Sequence, residues 1–580
     1  MNATTAVLLL ALPTLPPLPP LAAQCGIVAD VIPGPAAPGG PARLTPAFGN
    51  ELWFWYSEPN SGKELWKWSE QGGVQIVADL VPGSGSSDPT YLTPCCTASG
   101  PRMFYTATES GHGFEIYVSD GTAAGTGRLA EIQPGSVGSL PYEFCASGGK
   151  VYFNAKNTTF GEELWVADGT PAGTIRLSDF APGSAHGRPL GMVDLHGRVI
   201  FSAFDPATGR ELFVSDGTPA GTHLLRDIEP GTAASDPVEL TRVGDYVYFV
   251  ANTVTFGNEL WRTDGTAAGT VLVADLFPPN AFGPTGLCAC GDRLFFHEYR
   301  AQGYGDVYVT DGTAAGTTFV FAQGSNLTCS GNRVFFTGYD LTHGFEPWVT
   351  DGVTTQLIED LIPGFNGNAP AEYTDCGPGV CFRFATANPA EIWFSDGTAN
   401  GTTLLCTLDP AASPNGLTTS RGRVFFAAWD PSYGDEIFGI STPGASRTLL
   451  GDGSAPDHPR LWTRDGGVPV LGSTIDLVGD GPAAHAGFLL AAIATLPAPV
   501  PAAPGLIVGG CDWVGLQAGG AVTVATLSAT GFSVPFSAPN SAALEGLALQ
   551  LQAVWFDPGS APAVQVSNGL QLVLGTAAPH

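Results

Sequence analysis

Positive charge is scarce in this chain, whose 580 residues hold 23 Lys and Arg against 53 Asp and Glu, for a net charge of −30. Nucleic acid and anionic membrane surfaces are recognised through basic patches, so both are disfavoured as partners, and cations or cationic partners fit better. Long apolar runs are missing too: after the first 23 residues nothing offers about 18 uninterrupted apolar residues, so no later segment is expected to span a membrane. Histidines are few and scattered, and a search for a GxSxG elbow, an HExxH helix or a phosphate loop finds none. No cysteine spacing of the CxxC…CxxC kind occurs, which speaks against structural zinc.

The first 23 residues contain the apolar run Ala6 to Pro13 and end in Leu21-Ala22-Ala23, small residues suited to signal peptidase, although no Lys or Arg precedes the run. Gln24 ahead of Cys25 argues against a lipoprotein box. A signal peptide over 1–23 and a secreted, periplasmic or cell-surface location are expected. Eleven cysteines fit an oxidising compartment, and the odd count leaves at least one unpaired or paired outside the chain. Cys376 and Cys381 are close enough to bridge two strands of one hairpin, whereas Cys288 with Cys290, and Cys95 with Cys96, are poor partners. Cys25 and Cys511 are a candidate staple between the start of the ring and the tail.

The dominant feature is a repeat of Glu-Leu-Trp or a near copy, usually followed by Asp-Gly-Thr, two small residues and Gly-Thr. The anchor acids are Glu64, Glu115, Glu163, Glu211, Glu259, Asp306, Glu346, Glu391 and Glu436, spaced by 51, 48, 48, 48, 47, 40, 45 and 45 residues. A period in the forties indicates a solenoid or a propeller. Residues 187–229 show the content of one unit: Leu190 to Leu195, Val199 to Phe204, Glu211 to Ser215 and His223 to Asp227 are strand-length runs separated by Gly, Pro, Asp or Thr, with no helical spacing. Four short antiparallel strands (a to d) per unit predict propeller blades. In the c–d turn Asp216-Gly217-Thr218-Pro219-Ala220-Gly221-Thr222, glycine supplies positive φ and Asp and Thr bond the turn to itself, so the motif reads as structural.

Runs such as Trp165-Val166-Ala167-Asp168-Gly169-Thr170-Pro171-Ala172-Gly173-Thr174 resemble the ELWxxDGT-repeat family of secreted bacterial proteins, over roughly residues 26–452. That resemblance implies a β-propeller-like fold and carries no catalytic residues across. Units 1, 7 and 9 depart from the turn motif, at Ser69-Glu70-Gln71-Gly72-Gly73, at Asp351-Gly352-Val353 and by omission. The segment Gly26 to Gly34 matches strand d of the next unit, Gln75 to Gly83. A d-strand with nothing before it makes sense if it completes the last blade and closes the ring over 26–32. Nine anchors predict nine blades over 24–462. Yet unit 9 has its own candidate d-strand, Arg447 to Asp452, and a tenth blade built from Pro459 to Ile493 plus the N-terminal strand is the alternative. From 463 to 580 the anchor is gone and charge nearly vanishes. Strand-like runs at Gly487 to Ile493, Ala521 to Leu527, Leu547 to Phe556 and Leu570 to Leu574 predict a small β-sandwich, similar to C-terminal β-modules of other secreted bacterial proteins through Phe556-Asp557-Pro558 and Ser567-Asn568-Gly569-Leu570. The fold class expected is all-β: a closed propeller of nine or ten four-stranded blades followed by that module.

Reflecting strand c onto strand d places five anchors opposite an acid sixteen residues on, Glu115 with Glu131, Glu163 with Asp179, Glu211 with Asp227, Glu259 with Asp275, and Glu436 with Asp452, while Glu64 with Asp79 and Glu346 with Asp360 nearly conform. Opposed like charges need solvent, amide donors or a cation. One account has an acid accepting backbone N–H bonds from the Pro-Gly loop or pairing with Arg128, Arg176 or Arg226. The other is calcium, a hard cation suited to oxygen ligands, held by the first four of those pairs. The aromatic anchor members, Trp66 and Trp165 among them, recur at one strand position and are expected in the core. Because a catalytic pair would be unique whereas these repeat, the sequence favours a non-enzymatic protein that binds an extracellular protein or glycan through one face. A propeller hydrolase or lyase acting on extracellular polysaccharide, and a structural surface or matrix component, are the alternatives.

Overall fold

The computed structural model describes residues 26–29, 40–48 and 51–442, apart from 70–71, 279–281, 299, 301–303, 365–368, 378, 385–389, 410 and 421–422, and beyond 442 the backbone of strands only. The protein is all-β and of propeller type. Among the described residues no helix is long and apolar enough to cross a membrane.

Unit 4 shows how the repeat folds. Strands Leu190–Leu195, Arg198–Asp205, Gly209–Ser215 and His223–Arg226 make one antiparallel meander. Side chains alternate between the two faces of each sheet, and both faces are buried against neighbouring sheets, which explains why strand b is nearly continuous in β-branched and aromatic residues. Phe201 and Phe213 pack with Tyr152 and Phe180 of unit 3 on one side, while Ile200 and Leu212 pack with Phe249 and Trp261 of unit 5 on the other. The aromatic anchor residues thus belong to the inter-sheet core, as expected.

The c–d turn is closed by its own side chains. Asp216 Oδ1 accepts from the Thr218 amide at 2.9 Å and its hydroxyl at 2.7 Å, Thr218 Oγ1 accepts from the Gly221 amide at 3.0 Å, and Thr222 Oγ1 donates to the Thr218 carbonyl at 2.8 Å. These bonds hold the Asp216 carboxyl below its ordinary range, through the Thr218 hydroxyl first. Gly217 sits at φ 83° with the Tyr152 hydroxyl of the preceding unit 2.6 Å from where a Cβ would stand, so both conformation and space require glycine.

Two connections differ from the sequence reading. The d-strand of unit 9 is Gly26–Ala29, which pairs with Gly434–Ser441 through Gly26↔Gly439 and Ile27↔Phe438. Arg447–Leu450, expected there, pairs instead with Gly569–Val573 in the tail. The N-terminal strand is therefore spent on unit 9 and is not available to a tenth blade. Between units 6 and 7 the anchor spacing falls to 40 residues, too short for a d–a loop, and one strand, Thr318–Ser330, serves as d of unit 6 and a of unit 7.

The first strands of successive units lie side by side, from Ala42–Pro46 through Thr90–Thr97, Tyr142–Ser147 and onward to Asn415–Ser420, which in turn lies against Ala42–Pro46. Cross-links run between these strands. Cys290 of unit 6 is disulfide-bonded to Cys329 of unit 7, and at the matching place Ser147 donates to Asp194, which also pairs with Arg242 at 2.7 Å. Cys376 and Cys381 share one core as thiols; Cys381 stands opposite Thr374 in the register, which leaves Cys376 its diagonal neighbour. The Cys25–Cys511 staple lies outside the described residues.

In the tail, Ala486–Ile493, Val522–Ser528, Ala548–Phe556 and Gly569–Val573 coincide with the four runs expected from sequence and join one sheet.

Candidate functional site

The predicted register holds in units 2, 4 and 5, where Ile116 pairs with Ala130, Leu212 with Arg226 and Leu260 with Ala274, so Glu115, Glu211 and Glu259 stand opposite Glu131, Asp227 and Asp275, just past a bulge. Glu391 stands opposite Thr407, and the pairing of Glu436 with Asp452 lies outside the described residues. What happens to the two carboxylates differs sharply. Glu64, Glu115, Glu163, Glu211, Glu259 and Glu346 are wholly buried. Glu115 accepts from the amides of Ile132 (3.0 Å) and Gln133 (2.9 Å) and from the Ser139 hydroxyl. Glu211 repeats this with Ile228 (2.9 Å), Glu229 (3.3 Å) and both the amide and hydroxyl of Ser235 (2.9 and 2.6 Å). Glu163 takes Phe180, Ala181 and the Ser178 hydroxyl. Burial raises all of these carboxyls and the donors partly offset it.

The outer acids face solvent or other partners. Glu131 receives His112 at 2.7 Å, Asp179 lies 3.5 Å from Arg176, and Asp227 takes the Gly231 amide at 3.3 Å. In unit 5 the Glu259 carboxyl is pushed up to about 7, by burial first and with Asp275 contributing. Among the described residues no three His, Cys, Asp or Glu side chains come together as metal ligands. The calcium reading of Glu115, Glu131, Glu163, Asp179, Glu211, Asp227, Glu259 and Asp275 thus gains no support from the geometry. The inner acid of each pair is instead a pin: it holds the d–a loop to strand c through amides that would otherwise be buried without partners.

A different feature of the same loops distinguishes unit 2 from units 1, 3 and 4. In these four units the residue before the anchor accepts a backbone bond from a d–a loop residue held in the left-handed region: Asp88 to Lys63, Leu140 to Phe114, Arg188 to Glu162 and Asp236 to Arg210, with φ of 48°, 49°, 44° and 46°. In units 1, 3 and 4 the side chains of this pair are opposite charges, at 3.3, 3.0 and 4.0 Å. Unit 2 has Phe114 and Leu140 instead.

Beside this apolar pair lies a cavity of about 590 Å³. Its lining comes from three units and the loops between them and includes Lys63, Asp88, Tyr91, Phe114, Leu140, Tyr142, Lys156 and Glu162. Tyr91 also sits in the left-handed region and stacks on Phe144 of the next unit, with centroids 6.2 Å apart. Tyr91 and Leu140 remain 45% and 47% exposed, a large apolar surface at a place where the neighbouring units are charged. The charged walls are largely neutralised. Lys63 pairs with Asp88 and lies over the Trp55 ring at 3.8 Å, while Glu162 takes Arg188 and accepts from the Tyr142 hydroxyl at 3.3 Å. Sequence reading missed this site because it weighed what repeats, and the signal was a departure at the position before the anchor.

No family model matches the chain, and no curated protein matches it. Among solved structures it is similar to a puromycin hydrolase (16% identity over 67% of this chain and 58% of that one, TM-score 0.34). It is also similar to prolyl oligopeptidase B from Galerina marginata (13%, 67% and 55%, 0.37) and to the β-propeller domain of the Trilobed protease from Pyrococcus furiosus (14%, 56% and 98%, 0.29). The chain spans little more than half the length of the first two, and likeness at this level describes fold alone. It does correct the functional expectation. The non-enzymatic assignment rested on repetition alone, and because one fold serves many functions repetition is no ground for excluding hydrolysis; the solved structures to which the chain is similar include peptidases. The expected non-enzymatic protein- or glycan-binding role is withdrawn with it.

Proposed function

We propose that the cavity over unit 2 is where this protein receives a small substrate or ligand, on a scaffold that is a closed ring of nine blades. The observation that carries the reading is the substitution of Phe114 and Leu140 for an ion pair that units 1, 3 and 4 retain, at the edge of a cavity of ligand size. Units 5 to 8 carry Asn258, Gly305, Phe345 and Ala390 before the anchor, so folding does not require the ion pair; what distinguishes unit 2 from its neighbours is the exposed apolar surface of Tyr91 and Leu140 beside the cavity. The closed ring is supported by the N-terminal strand on unit 9 and by the contact between the first strands of units 9 and 1. Membership of the ELWxxDGT-repeat family and export through residues 1–23 belong to the same proposal and rest on the sequence.

Installing the unit 3 pair, as Phe114→Glu with Leu140→Arg, tests it. A fragment library read by ligand-observed NMR should give hits on the native protein that the double variant loses, with its melting temperature within about 3 °C because exposed pairs contribute little. Hits that persist in the variant, or a native protein that binds no fragment, would end the proposal.

A further inference from the structure

We infer that the ligand of this cavity is a monocarboxylate with an apolar or aromatic body, a conclusion that rests on the cavity being a ligand site. Charge in the walls cancels except at one place. Lys63 is neutralised by Asp88 and Glu162 by Arg188, both within 3.3 Å. Lys156 is left over. It stands opposite Glu162 in the strand register, but that carboxylate is turned to Arg188 and the Tyr142 hydroxyl, and among the described residues no carboxylate forms an ion pair with Lys156. The Lys156 backbone is fixed by its amide bond to the Ser139 carbonyl at 2.7 Å, on the loop that carries Leu140. Lys156, a half-buried residue, therefore lines the cavity with Phe114, Leu140 and Tyr142 and among the described residues has no ion-pair partner.

In a chain with a net charge of −30, an unpaired lysine at the rim of an apolar hollow selects strongly by valence. A single carboxylate completes the missing pair with a charge-assisted hydrogen bond. A dianion such as phosphate brings a second charge toward Asp88 and Glu162 and is disfavoured. The aromatic walls accept a ring or an aliphatic chain of a few carbons, and the open side leaves room for polar groups at the far end.

The test compares 3-phenylpropionate with 3-phenylpropionamide, which share shape and differ in charge, with inorganic phosphate as a third arm, by titration calorimetry on the full chain. The carboxylate should bind at least about tenfold more tightly than the amide. Lys156→Met should abolish that preference, and Lys156→Arg should retain it. Phosphate should not displace the carboxylate. Equal affinity for acid and amide, a preference that survives in Lys156→Met, or displacement by phosphate would overturn the inference. If uncharged library fragments still bind natively and are lost in the Phe114/Leu140 double variant, the site itself stands and only its carboxylate selectivity is refuted.

Discussion

Units 4 and 5 carry the same anchor and the same turn, yet Glu211 and Glu259 sit in different electrostatic surroundings. Glu211 meets four donors, two of them from Ser235. Glu259 has Gly283 at the corresponding place, takes the amides of Leu276 and Phe277 on one oxygen, and leaves Oε2 buried without a hydrogen-bond partner. Its carboxyl is accordingly pushed up to about 7, as is that of Glu346, which also has two amide donors. A single serine separates a buried carboxylate that is well supported from one that gains a proton near neutrality. The repeat motif alone does not reveal which state a given copy is in.

The largest effect should come from removing the pin where it is best made. Glu211→Ala orphans the Ile228, Glu229 and Ser235 donors, and chemical denaturation should show a loss of about 3–5 kcal/mol. The same substitution at Glu259 orphans fewer donors and should cost less; an equal loss would refute the contrast. Next in size, Ser235→Ala removes the hydroxyl donor to Glu211 while its amide stays, moving unit 4 toward unit 5, with a loss of about 1–3 kcal/mol and a rise of the Glu211 pKa that a carboxyl-directed NMR titration would follow.

The smallest effect depends on pH. The folded-state pKa of Glu259, about 7, lies above its ordinary value of 4.5, so the fold favours the protonated form. That contribution is fully present below pH 4.5 and is lost as pH rises through 7. Glu259→Gln should therefore melt higher than the native protein at pH 8 and near it at pH 5. A gap that is constant across this range would show that ionisation is not the cause.

Much of the scaffold was legible because it is local. The spacing of the anchors gives the units, strand-length runs bounded by Gly, Pro and Asp give the meander, and reflection about a seven-residue turn puts Glu211 opposite Asp227. The N-terminal strand was identified by its likeness to other d-strands, and it does pair with unit 9. The reading faltered where a donor or partner arrives from another segment. Ser235 lies twenty-four residues from Glu211, in a loop whose path depends on where the next sheet packs. Register alone therefore left two accounts of the opposed acids open, backbone amides or a cation, and the inner acids of units 2 and 4 do accept from backbone amides.

The amino-acid sequence by itself determined the repeat, the four-stranded meander of a regular unit and the turn chemistry, because these follow from spacing, backbone conformation and side-chain pattern along short stretches, while the structure decided that Gly26–Ala29 and not Arg447–Leu450 completes unit 9 and that units 6 and 7 share a strand. Tertiary structure decided which donors meet each buried glutamate and that Cys290 joins Cys329 across units. It also decided that Phe114, Leu140, Tyr142 and Lys156 share a cavity, since those residues come from different units and only the packing of one sheet on the next sets the distances between them.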